Sequence, residues 1–200
     1  MHKTISHFFA YVSRLKWIKR WSLMRNAIHE DVAVHSWEVA TIAHILAIIH
    51  NKDCDLNNKI DANHLAVVAL YHDATEVITG DMPTPVKYHS EAMRTAYKGV
   101  EEKAQHELLA LLPASLHQDF SSILLEDTLP EHYLVLLKAA DRLSALLKCR
   151  AELRAGNREF EQAEQEISSR LNDMNLAPVH YFLEVFAPGY DMSLDNLLDA

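Results

Sequence analysis

Glycine and proline are scarce along this chain, and that scarcity limits the folds it can adopt. The sequence has 4 glycines and 6 prolines in 200 residues, too few for the many tight turns of a β-sandwich or β-barrel. Alanine, leucine, glutamate and lysine, which are strong helix formers, dominate long stretches. Apolar residues recur at helical spacing, as at Val39, Ile42 and Leu46, and no segment alternates as a strand does. We therefore expect an all-α fold.

The helical pattern divides into eight predicted helices within one domain, residues 1–200. Gly80 follows the third helix as a C-cap glycine, and Gly156 separates two others. The segment 80–85 has two prolines after a glycine, which predicts an irregular, rigid loop. The predicted helices cover residues 5–19, 31–50, 62–78, 90–112, 115–125, 131–155, 157–175 and 178–186.

The formal net charge of −9 argues against a general nucleic-acid binder, because such proteins usually carry a basic surface. Charge is nevertheless uneven: residues 1–25 contain six basic residues and no acid, whereas the other 175 residues hold 13 basic and 28 acidic groups. A cationic patch on an acidic body attracts small anions; a solvated basic helix face is the alternative. The six residues are Lys3, Arg14, Lys16, Lys19, Arg20 and Arg25.

The composition, 49% hydrophobic and 24% charged residues, is typical of a globular protein. No uninterrupted apolar run approaches the roughly 20 residues needed to cross a bilayer, and the N-terminus lacks the pattern of a cleaved leader. Cys54 and Cys149 lie far apart without CxxC spacing, which suits a reducing compartment. We expect a cytoplasmic protein without a membrane partner, with both thiols packed or at the surface.

Thirteen histidines occur in the chain, so position must decide which of them carry chemistry. His35 and His72 fall on the apolar faces of two predicted helices, where a packed core histidine is the commoner outcome. Asp73 adjoins His72, and Glu76 follows one turn later. Burying an imidazole beside two carboxylates is costly unless a cation neutralises them, so this group indicates a metal site.

Asp141 is a fourth candidate ligand. It lies on the apolar face of the predicted helix 131–155, which directs its carboxylate toward the interior. Pairing with Lys138 or Arg142 is the simpler explanation for Asp141 alone. Two histidines and two carboxylates from three helices form a set that suits a first-row divalent ion with open positions.

Together, His35, the His72–Asp73 pair and Asp141 resemble the H…HD…D signature of the HD-domain metal-dependent phosphohydrolases. Four further segments are similar to those of the bacterial HD-domain 5′-deoxynucleotidases, and the similarity extends from Ser6 to about Leu194. The Gly-Asp-x-Pro-Thr-Pro segment is specific to that group. The similar segments are residues 6–10, 20–25, 71–77 and 79–88.

This resemblance implies a helical HD-type bundle that forms homodimers and hydrolyses deoxyribonucleoside 5′-monophosphates to a nucleoside and phosphate. It implies catalytic roles for Glu76 and Asp73. Met82 replaces a leucine expected in relatives, and Trp37 a smaller residue; neither change alters the chemistry. The implied metal ligands are His35, His72, Asp73 and Asp141. The implied substrate contacts are Arg20, Trp21, Asp81, Met82, Pro83 and Thr84.

These roles define a hypothetical mechanism. A divalent cation lowers the pKa of its bound water from near 15.7 to roughly 7. Glu76 orients or deprotonates that water, and Asp73 or another group helps to protonate the leaving 5′-oxygen; a plain i+4 pairing of Glu76 with His72 is the alternative. Arg20 offers donors to phosphate or sugar oxygens. Trp21 against C2′ disfavours a ribose by about 1–3 kcal/mol, or is simply a core aromatic.

Rival functions stay open from sequence alone. Other HD phosphohydrolases, which cleave cyclic dinucleotides, alarmones or deoxynucleoside triphosphates, share the ligand set. A non-catalytic helical module with a structural metal is a different class. Relatives imply cobalt or manganese, although zinc, iron, nickel or copper also suits these ligands. No residue reads a base edge, which predicts tolerance of several bases. Four apolar residues near the C-terminus serve either an interface or the core: Tyr181, Phe182, Val185 and Phe186.

Overall fold

The computed structural model describes residues 5–198, and regular structure in this range is helical. The predicted all-α fold is confirmed. One isolated antiparallel bridge, Lys19 with Asp31, is the β-type contact within residues 5–198. The α-helices are α1 (Phe8–Val12), α2 (Val32–Asp53), α3 (Ala62–Tyr71), α4 (Glu76–Thr79), α5 (Thr84–Lys87), α6 (Glu91–Ala110), α7 (His117–Leu124), α8 (Glu131–Arg154), α9 (Glu161–Asp173), α10 (Ala177–Val185) and α11 (Leu194–Leu198). Short 3₁₀ helices cover Ser13–Trp17, Leu56–Asn58, Ala114–Leu116, Glu126–Thr128, Arg158–Phe160 and Ala187–Asp191.

Helices α2, α3 and α8 form the centre of the bundle. Their apolar faces meet at Leu46, Leu65 and Leu143, which are fully buried, and each such leucine contributes about 1.5–3 kcal/mol. Leu171 of α9 and Phe182 of α10 extend the same cluster. This frame holds the three chain segments that carry the predicted metal ligands.

A second apolar cluster joins α1 to α6 and α7. Phe8 is fully buried and packs edge-on against Phe120, with 5.5 Å between ring centroids. Leu108 of α6 and Leu124 of α7 belong to the same cluster, as does Ala74. Because Ala74 follows the His72–Asp73 pair directly, this packing holds that pair in place.

The ends of the central helices follow local rules. The side chain of Asp31 accepts a hydrogen bond from the Val34 backbone at the start of α2, and Asp61 does the same for His64 at the start of α3. Such a cap contributes about 1 kcal/mol. Gly80, with φ +72°, ends α4 as predicted, because glycine adopts this backbone without a Cβ penalty.

The predicted helix 62–78 is wrong at its centre, where residues 72–75 form turns between α3 and α4. Nδ1 of His72 lies 2.7 Å from the Ala69 carbonyl. In a continuous helix that oxygen accepts the Asp73 N–H instead. The imidazole therefore competes with the helix backbone, and apolar periodicity carries no signal for this competition.

Two other predicted boundaries need correction. In place of the predicted helix 5–19, the structure has the 5-residue helix α1 followed by the 3₁₀ helix Ser13–Trp17. The predicted loop 80–85 ends at Pro83, because Thr84 opens α5 and Pro85 occupies its first turn, where a missing N–H costs nothing. Lys3 of the basic segment lies outside the described residues.

Helix α2 is apolar and long enough to cross a bilayer by composition alone, with a mean hydropathy of 1.6 over an 18-residue window. Its inner face is buried in the bundle, with Val39, Ile42, Ala43 and Leu46 in the central cluster. Such a helix is the usual core helix of a helical domain. The absence of a membrane partner stays a prediction.

Candidate metal and phosphate site

The structure brings the side chains of His35, His72 and Asp73 together. His35 lies in the first turn of α2, and His72 and Asp73 lie in the turn after α3. Oδ2 of Asp73 is 3.2 Å from Nε2 of His72 and 3.5 Å from Nε2 of His35. One ligand atom from each of the three residues lies within 4.8 Å of the others.

Asp141 joins this cluster from α8. Its Oδ1 is 3.4 Å from Nε2 of His35, while its Oδ2 accepts a hydrogen bond of 2.8 Å from Nζ of Lys138. Both interpretations of Asp141 therefore hold at once: it pairs with Lys138 and it points toward His35. We call His35, His72, Asp73 and Asp141 the HD cluster.

The residues of the HD cluster fit a divalent cation. Nε2 of His35 and Nε2 of His72 are buried and have no hydrogen-bond partner. Buried ring nitrogens without partners are costly, and each faces carboxylate oxygens in this cluster. Imidazole nitrogens with carboxylate oxygens are ligands of first-row divalent metals, so a cation satisfies both kinds of group together.

Charge interactions set the protonation of the HD cluster. Burial alone raises the pKa of Asp73, but His72 and His35 outweigh burial and hold this pKa well below its ordinary value. Burial alone lowers the pKa of His72, and Asp73 reverses the direction. Burial also acts to raise the pKa of Asp141, and Lys138 with His35 keeps it well below its ordinary value. Both aspartates are thus anionic at neutral pH, as metal ligands must be.

Glu76 opens α4, one turn after His72. Its Oε2 is buried without a hydrogen-bond partner. Burial first, and then repulsion from Asp73 and Asp81, raises the pKa of Glu76 to about 9. No hydrogen bond or ion pair between Glu76 and His72 occurs among residues 5–198, so the alternative of a simple i+4 partner is not what this structure contains.

Arg20 is the residue of the basic N-terminal segment that reaches the HD cluster. Its guanidinium is 13% exposed and lies 3.5 Å from both Asp73 and Glu30. Arg14, by contrast, stacks on the exposed Trp17 ring, with 4.9 Å from its Cζ to the ring centroid. Within residues 5–25, Arg20 is therefore the candidate for the anion-attracting role that the sequence predicted.

Trp21 follows Arg20 with an unusual backbone, at φ +57°. Its indole Nε1 donates a 2.8 Å hydrogen bond to Oε2 of Glu30, and its ring lies 5.3 Å from that of Phe160. A tryptophan rarely adopts a positive φ unless its surroundings impose it. Trp21 is half-buried, so it packs partly as a core aromatic and keeps part of its surface exposed.

Part of the loop predicted to contact the nucleotide, residues 81–84, lies near Arg20. Asp81 is half-buried; burial raises its pKa, Arg20 opposes that shift and Asp73 adds to it. Met82 and Pro83 are half-buried and Thr84 is exposed. The contacts of these four residues with a nucleotide stay a prediction.

A cleft of about 780 Å³ opens beside the HD cluster. His72, Asp73, Glu76 and Asp141 line it, whereas Arg20, Trp21 and the loop 81–84 do not. The volume falls within the range of small-molecule sites. The cleft therefore gives a small ligand access to one side of the cluster, and Arg20 approaches from another.

Three residues at this site have no counterpart in the sequence-based predictions: Glu30, Glu38 and Ser144. Glu30 bonds Trp21 and lies near Arg20 and His35, while Ser144 lies between His35 and Glu38. One signal was available, because Glu38 follows His35 by three residues and Ser144 follows Asp141 by three. Residues three apart share a helix face.

Comparison with known proteins adds a family context. A family profile described as 5′-deoxynucleotidase YfbR-like matches residues 7–190. A 5′-deoxynucleotidase YfbR of Photorhabdus temperata is 47% identical over 193 residues, which cover 96% of this chain and 97% of that protein. A 5′-deoxynucleotidase of Yersinia pseudotuberculosis matches with the same identity and coverage.

Solved structures are similar as well. An HD-domain phosphohydrolase of Listeria innocua superposes with a TM-score of 0.76 and 25% identity, covering 92% of this chain and 88% of that one. The HD phosphohydrolase DatZ of cyanophage S-2L, described as bound to dA and one catalytic Zn²⁺, has a TM-score of 0.67, 17% identity and coverage of 90% and 96%. The predicted HD-type fold is confirmed.

Proposed function

The chain belongs to the 5′-deoxynucleotidase YfbR-like family, and we propose that it hydrolyses deoxyribonucleoside 5′-monophosphates to a deoxynucleoside and phosphate. It is a phosphoric monoester hydrolase of the HD-domain fold. One structural observation carries the assignment of chemistry to the HD cluster: two buried imidazole nitrogens without partners face the carboxylate of Asp73.

The cofactor of this proposal is one divalent cation held by His35, His72, Asp73 and Asp141. Cobalt and manganese are the first candidates, and zinc, iron, nickel and copper suit the same ligands. When bound, such a cation polarises a phosphoryl oxygen and makes a hydroxide nucleophile available near neutral pH.

Glu76 is the proposed proton carrier of the site. Burial and the negative charges of Asp73 and Asp81 hold its pKa near 9, so it keeps its proton at neutral pH in the metal-free protein. Neutralisation of the Asp73 charge by a bound cation would remove part of this repulsion. The pKa of Glu76 would then fall toward neutral pH, where the carboxyl both accepts and releases a proton. Asp73 or another group assists protonation of the leaving 5′-oxygen in this proposal.

Arg20 and Trp21 are the proposed substrate contacts. Arg20 is held between Glu30 and Asp73 at 3.5 Å from each, and its donors fit phosphate or sugar oxygens. Trp21 supplies a flat wall fixed by Phe160 and Glu30. A ribose 2′-OH against that wall loses its hydrogen bonds, which disfavours ribonucleotides about tenfold to hundredfold. Four loop residues complete the proposed contacts: Asp81, Met82, Pro83 and Thr84.

The test is a phosphate-release panel on deoxy- and ribonucleoside 5′-monophosphates with added Co²⁺, Mn²⁺ or Zn²⁺. We expect turnover of several deoxynucleotides, and weaker turnover of AMP than of dAMP. His35→Ala should abolish it, and the matched control His44→Ala should not, because His44 lies on the same helix but bonds Asn63 away from the cluster. The same assay is run on nucleoside triphosphates and cyclic dinucleotides. Release of pyrophosphate or tripolyphosphate from the former, or cleavage of the latter, would assign the chain to another HD activity.

Metal binding without turnover of any nucleotide would favour the rival interpretation, a non-catalytic module with a structural metal. A structural site is normally closed by its protein ligands. The adjoining cleft of about 780 Å³ supports an open site instead.

A homodimer is part of the same proposal. Trp37 of α2 is 63% exposed. Tyr181 and Val185 of α10 and Phe186 directly after it are between 38% and 48% exposed, whereas Phe182 is in the core. Exposed aromatic and aliphatic side chains of this size are typical of interfaces. Sedimentation velocity should give a dimer for the parent and a monomer for Trp37→Asp; a monomeric parent would refute this part.

We further propose that residues 1–200 form one domain and that the protein is cytoplasmic, without polymeric nucleic acid or membrane as partner. Two free thiols support a reducing compartment: burial raises the pKa of Cys149 to about 12, and Cys54 is half-buried. Fractionation of cells that express the protein tests the location.

A further inference from the structure

A serine and a glutamate lie behind the imidazole of His35, on the side opposite Asp73. Oγ of Ser144 on α8 is 3.1 Å from Nδ1 of His35, and the Ser144 hydroxyl donates a 2.6 Å hydrogen bond to Oε2 of Glu38 on α2. His35 and Ser144 are fully buried. Water therefore does not substitute for the contact between His35 and Ser144.

The number of hydrogens in this chain of contacts determines its direction. A serine hydroxyl has one hydrogen, and because the ionised Glu38 carboxylate 2.6 Å away can only accept, that hydrogen is directed at Glu38. Oγ of Ser144 then has only lone pairs left for His35, so Nδ1 of His35 must be the donor. A neutral imidazole with its hydrogen on Nδ1 carries its lone pair on Nε2.

Nε2 is the nitrogen of His35 that faces the HD cluster. It lies 3.5 Å from Asp73 and 3.4 Å from Asp141 and has no hydrogen-bond partner. A lone pair directed at two carboxylates is repulsive unless a cation lies between them. The contact with Ser144 thus favours the tautomer with hydrogen on Nδ1, which is the one that a metal ligand bound through Nε2 needs.

From this geometry we propose that Ser144 and Glu38 are positioning residues, which hold His35 in the tautomer and orientation that bind the metal. The inference rests on the proposed function, because it assumes a cation in the HD cluster. Glu30 is the other group facing Nδ1 of His35, but its Oε1 is 3.7 Å away, beyond hydrogen-bond distance.

The second histidine of the cluster supports this assignment by a different device. Nδ1 of His72 is 2.7 Å from the backbone carbonyl of Ala69. A carbonyl only accepts, so Nδ1 of His72 also carries a hydrogen, and in the neutral ring Nε2 presents the lone pair. Both histidines therefore favour the same tautomer, but only the tautomer of His35 depends on side chains, which mutation can remove.

Titration of the metal-free protein with Mn²⁺ or Co²⁺ by calorimetry tests the proposal. Ser144→Ala and Glu38→Ala should each weaken binding by about 10- to 100-fold, the usual effect of losing a partner behind a ligand. Glu38→Gln should restore most of the affinity, because an amide oxygen still accepts the Ser144 hydroxyl.

Ser36→Ala is the matched control. Ser36 is a buried serine on α2 next to His35, and its hydroxyl has no hydrogen-bond partner. Its removal should leave metal affinity within about twofold of the parent, since it takes away a hydroxyl without a contact. A similar loss in Ser36→Ala and Ser144→Ala would show that general core damage is responsible and would overturn the proposal.

Nitrogen-15 NMR of the imidazole rings gives a readout independent of activity. With Zn²⁺ bound, the parent should show His35 with its hydrogen on Nδ1, and Ser144→Ala should show mixed tautomers. Glu38 is only half-buried, so Glu38→Ala gives the same test in a variant that keeps its core if Ser144→Ala does not fold. Unchanged affinity and tautomer in both variants would overturn the proposal. A parent that binds neither metal would instead refute the proposed function.

Discussion

Two groups of buried charged side chains lie along α8, and only one of them has all its hydrogen bonds. About 16 Å of helix separates Asp141 from Glu152, at 1.5 Å per residue. Glu152 is fully buried, yet both carboxylate oxygens are used. They accept hydrogen bonds from the Ala27 and Ile28 backbone (2.8 and 2.9 Å), from the Asn157 amide (2.7 Å) and from the Lys148 ammonium.

The HD cluster and the adjacent Glu76 differ in that three buried atoms lack partners: Nε2 of His35, Nε2 of His72 and Oε2 of Glu76. The pKa values differ in the same sense. Burial acts to raise the pKa of Glu152, but hydrogen bonds from Lys148 and Asn157 lower it to about 2, whereas that of Glu76 is raised to about 9. One group has all its hydrogen bonds within the protein, whereas the other leaves buried atoms without partners. We therefore expect the Glu152 network to stabilise the fold and the HD cluster to serve chemistry.

Loss of the Glu76 carboxyl, the proposed proton carrier, should have the largest effect, and that effect should fall on activity. Glu76→Gln should lower the rate of phosphate release by about 10²- to 10⁴-fold, because an amide neither accepts nor releases the proton. Initial rates on dAMP measure this. Glu102→Gln, at another acid of the same cleft, is the control and should keep the parent rate. A parent-like rate for Glu76→Gln would remove its catalytic role.

Loss of the Glu152 network should instead lower the free energy of unfolding. Glu152→Ala leaves the Lys148 ammonium buried without its carboxylate and should cost about 3–5 kcal/mol. For a chain of this length the melting temperature should fall by roughly 6–20 °C. Calorimetry or thermal circular dichroism measures the change.

The matched control for that variant is Glu107→Ala. Glu107 pairs with Lys103 at the same i,i+4 spacing, but the two side chains are 51% and 78% exposed and 3.6 Å apart. An exposed pair contributes at most about 0.5 kcal/mol, so the melting temperature should hardly move. Equal losses at residues 107 and 152 would contradict the distinction between the two networks.

Metal addition should stabilise the folded protein through the HD cluster and leave the Glu152 network unaffected. At a concentration of Mn²⁺ or Co²⁺ about 100 times its dissociation constant, the folded state should gain about 2.7 kcal/mol. Glu152→Ala should gain the same increment from its lower starting point, because the two groups share no residue. His35→Ala should gain much less. Thermal melts with and without metal, after treatment with a chelator, give these differences.

The smallest effect expected is a pH-dependent gain of stability in metal-free Glu76→Gln. The unfolded chain releases the Glu76 proton above about pH 4.5, whereas the folded chain keeps it to about pH 9, so parent stability falls as the pH rises through this window. Glutamine has no proton to lose and escapes this penalty. We expect Glu76→Gln to exceed the parent by about 1–3 kcal/mol near pH 8 and by little near pH 5. A gain independent of pH would argue against the raised pKa.

Local pattern explains how far prediction from sequence succeeded. Apolar spacing predicted the long helices α2 and α8, and the residue types His35, His72, Asp73 and Asp141 indicated a metal site before any distance was known. The turn at residues 72–75 was missed because a side-chain bond, from His72 to the Ala69 carbonyl, interrupts a helix whose apolar spacing continues.

Other features depend on which segments come together in space. Lys148–Glu152 and Lys103–Glu107 are the same sequence pattern, and only packing makes one pair buried and the other exposed. Ser144 is likewise one serine among several until α8 places it behind His35.

The sequence by itself determined the helical fold, the family and the chemical types available for catalysis, because helix propensity, apolar periodicity and side-chain chemistry are local properties. The tertiary structure alone decided which polar atoms are left without partners. Whether a buried donor or acceptor is satisfied depends on residues more than a hundred positions away, as with His35 and Ser144 or Ala27 and Glu152. That difference separates the Glu152 network, whose hydrogen bonds are complete, from the HD cluster, where buried atoms lack partners.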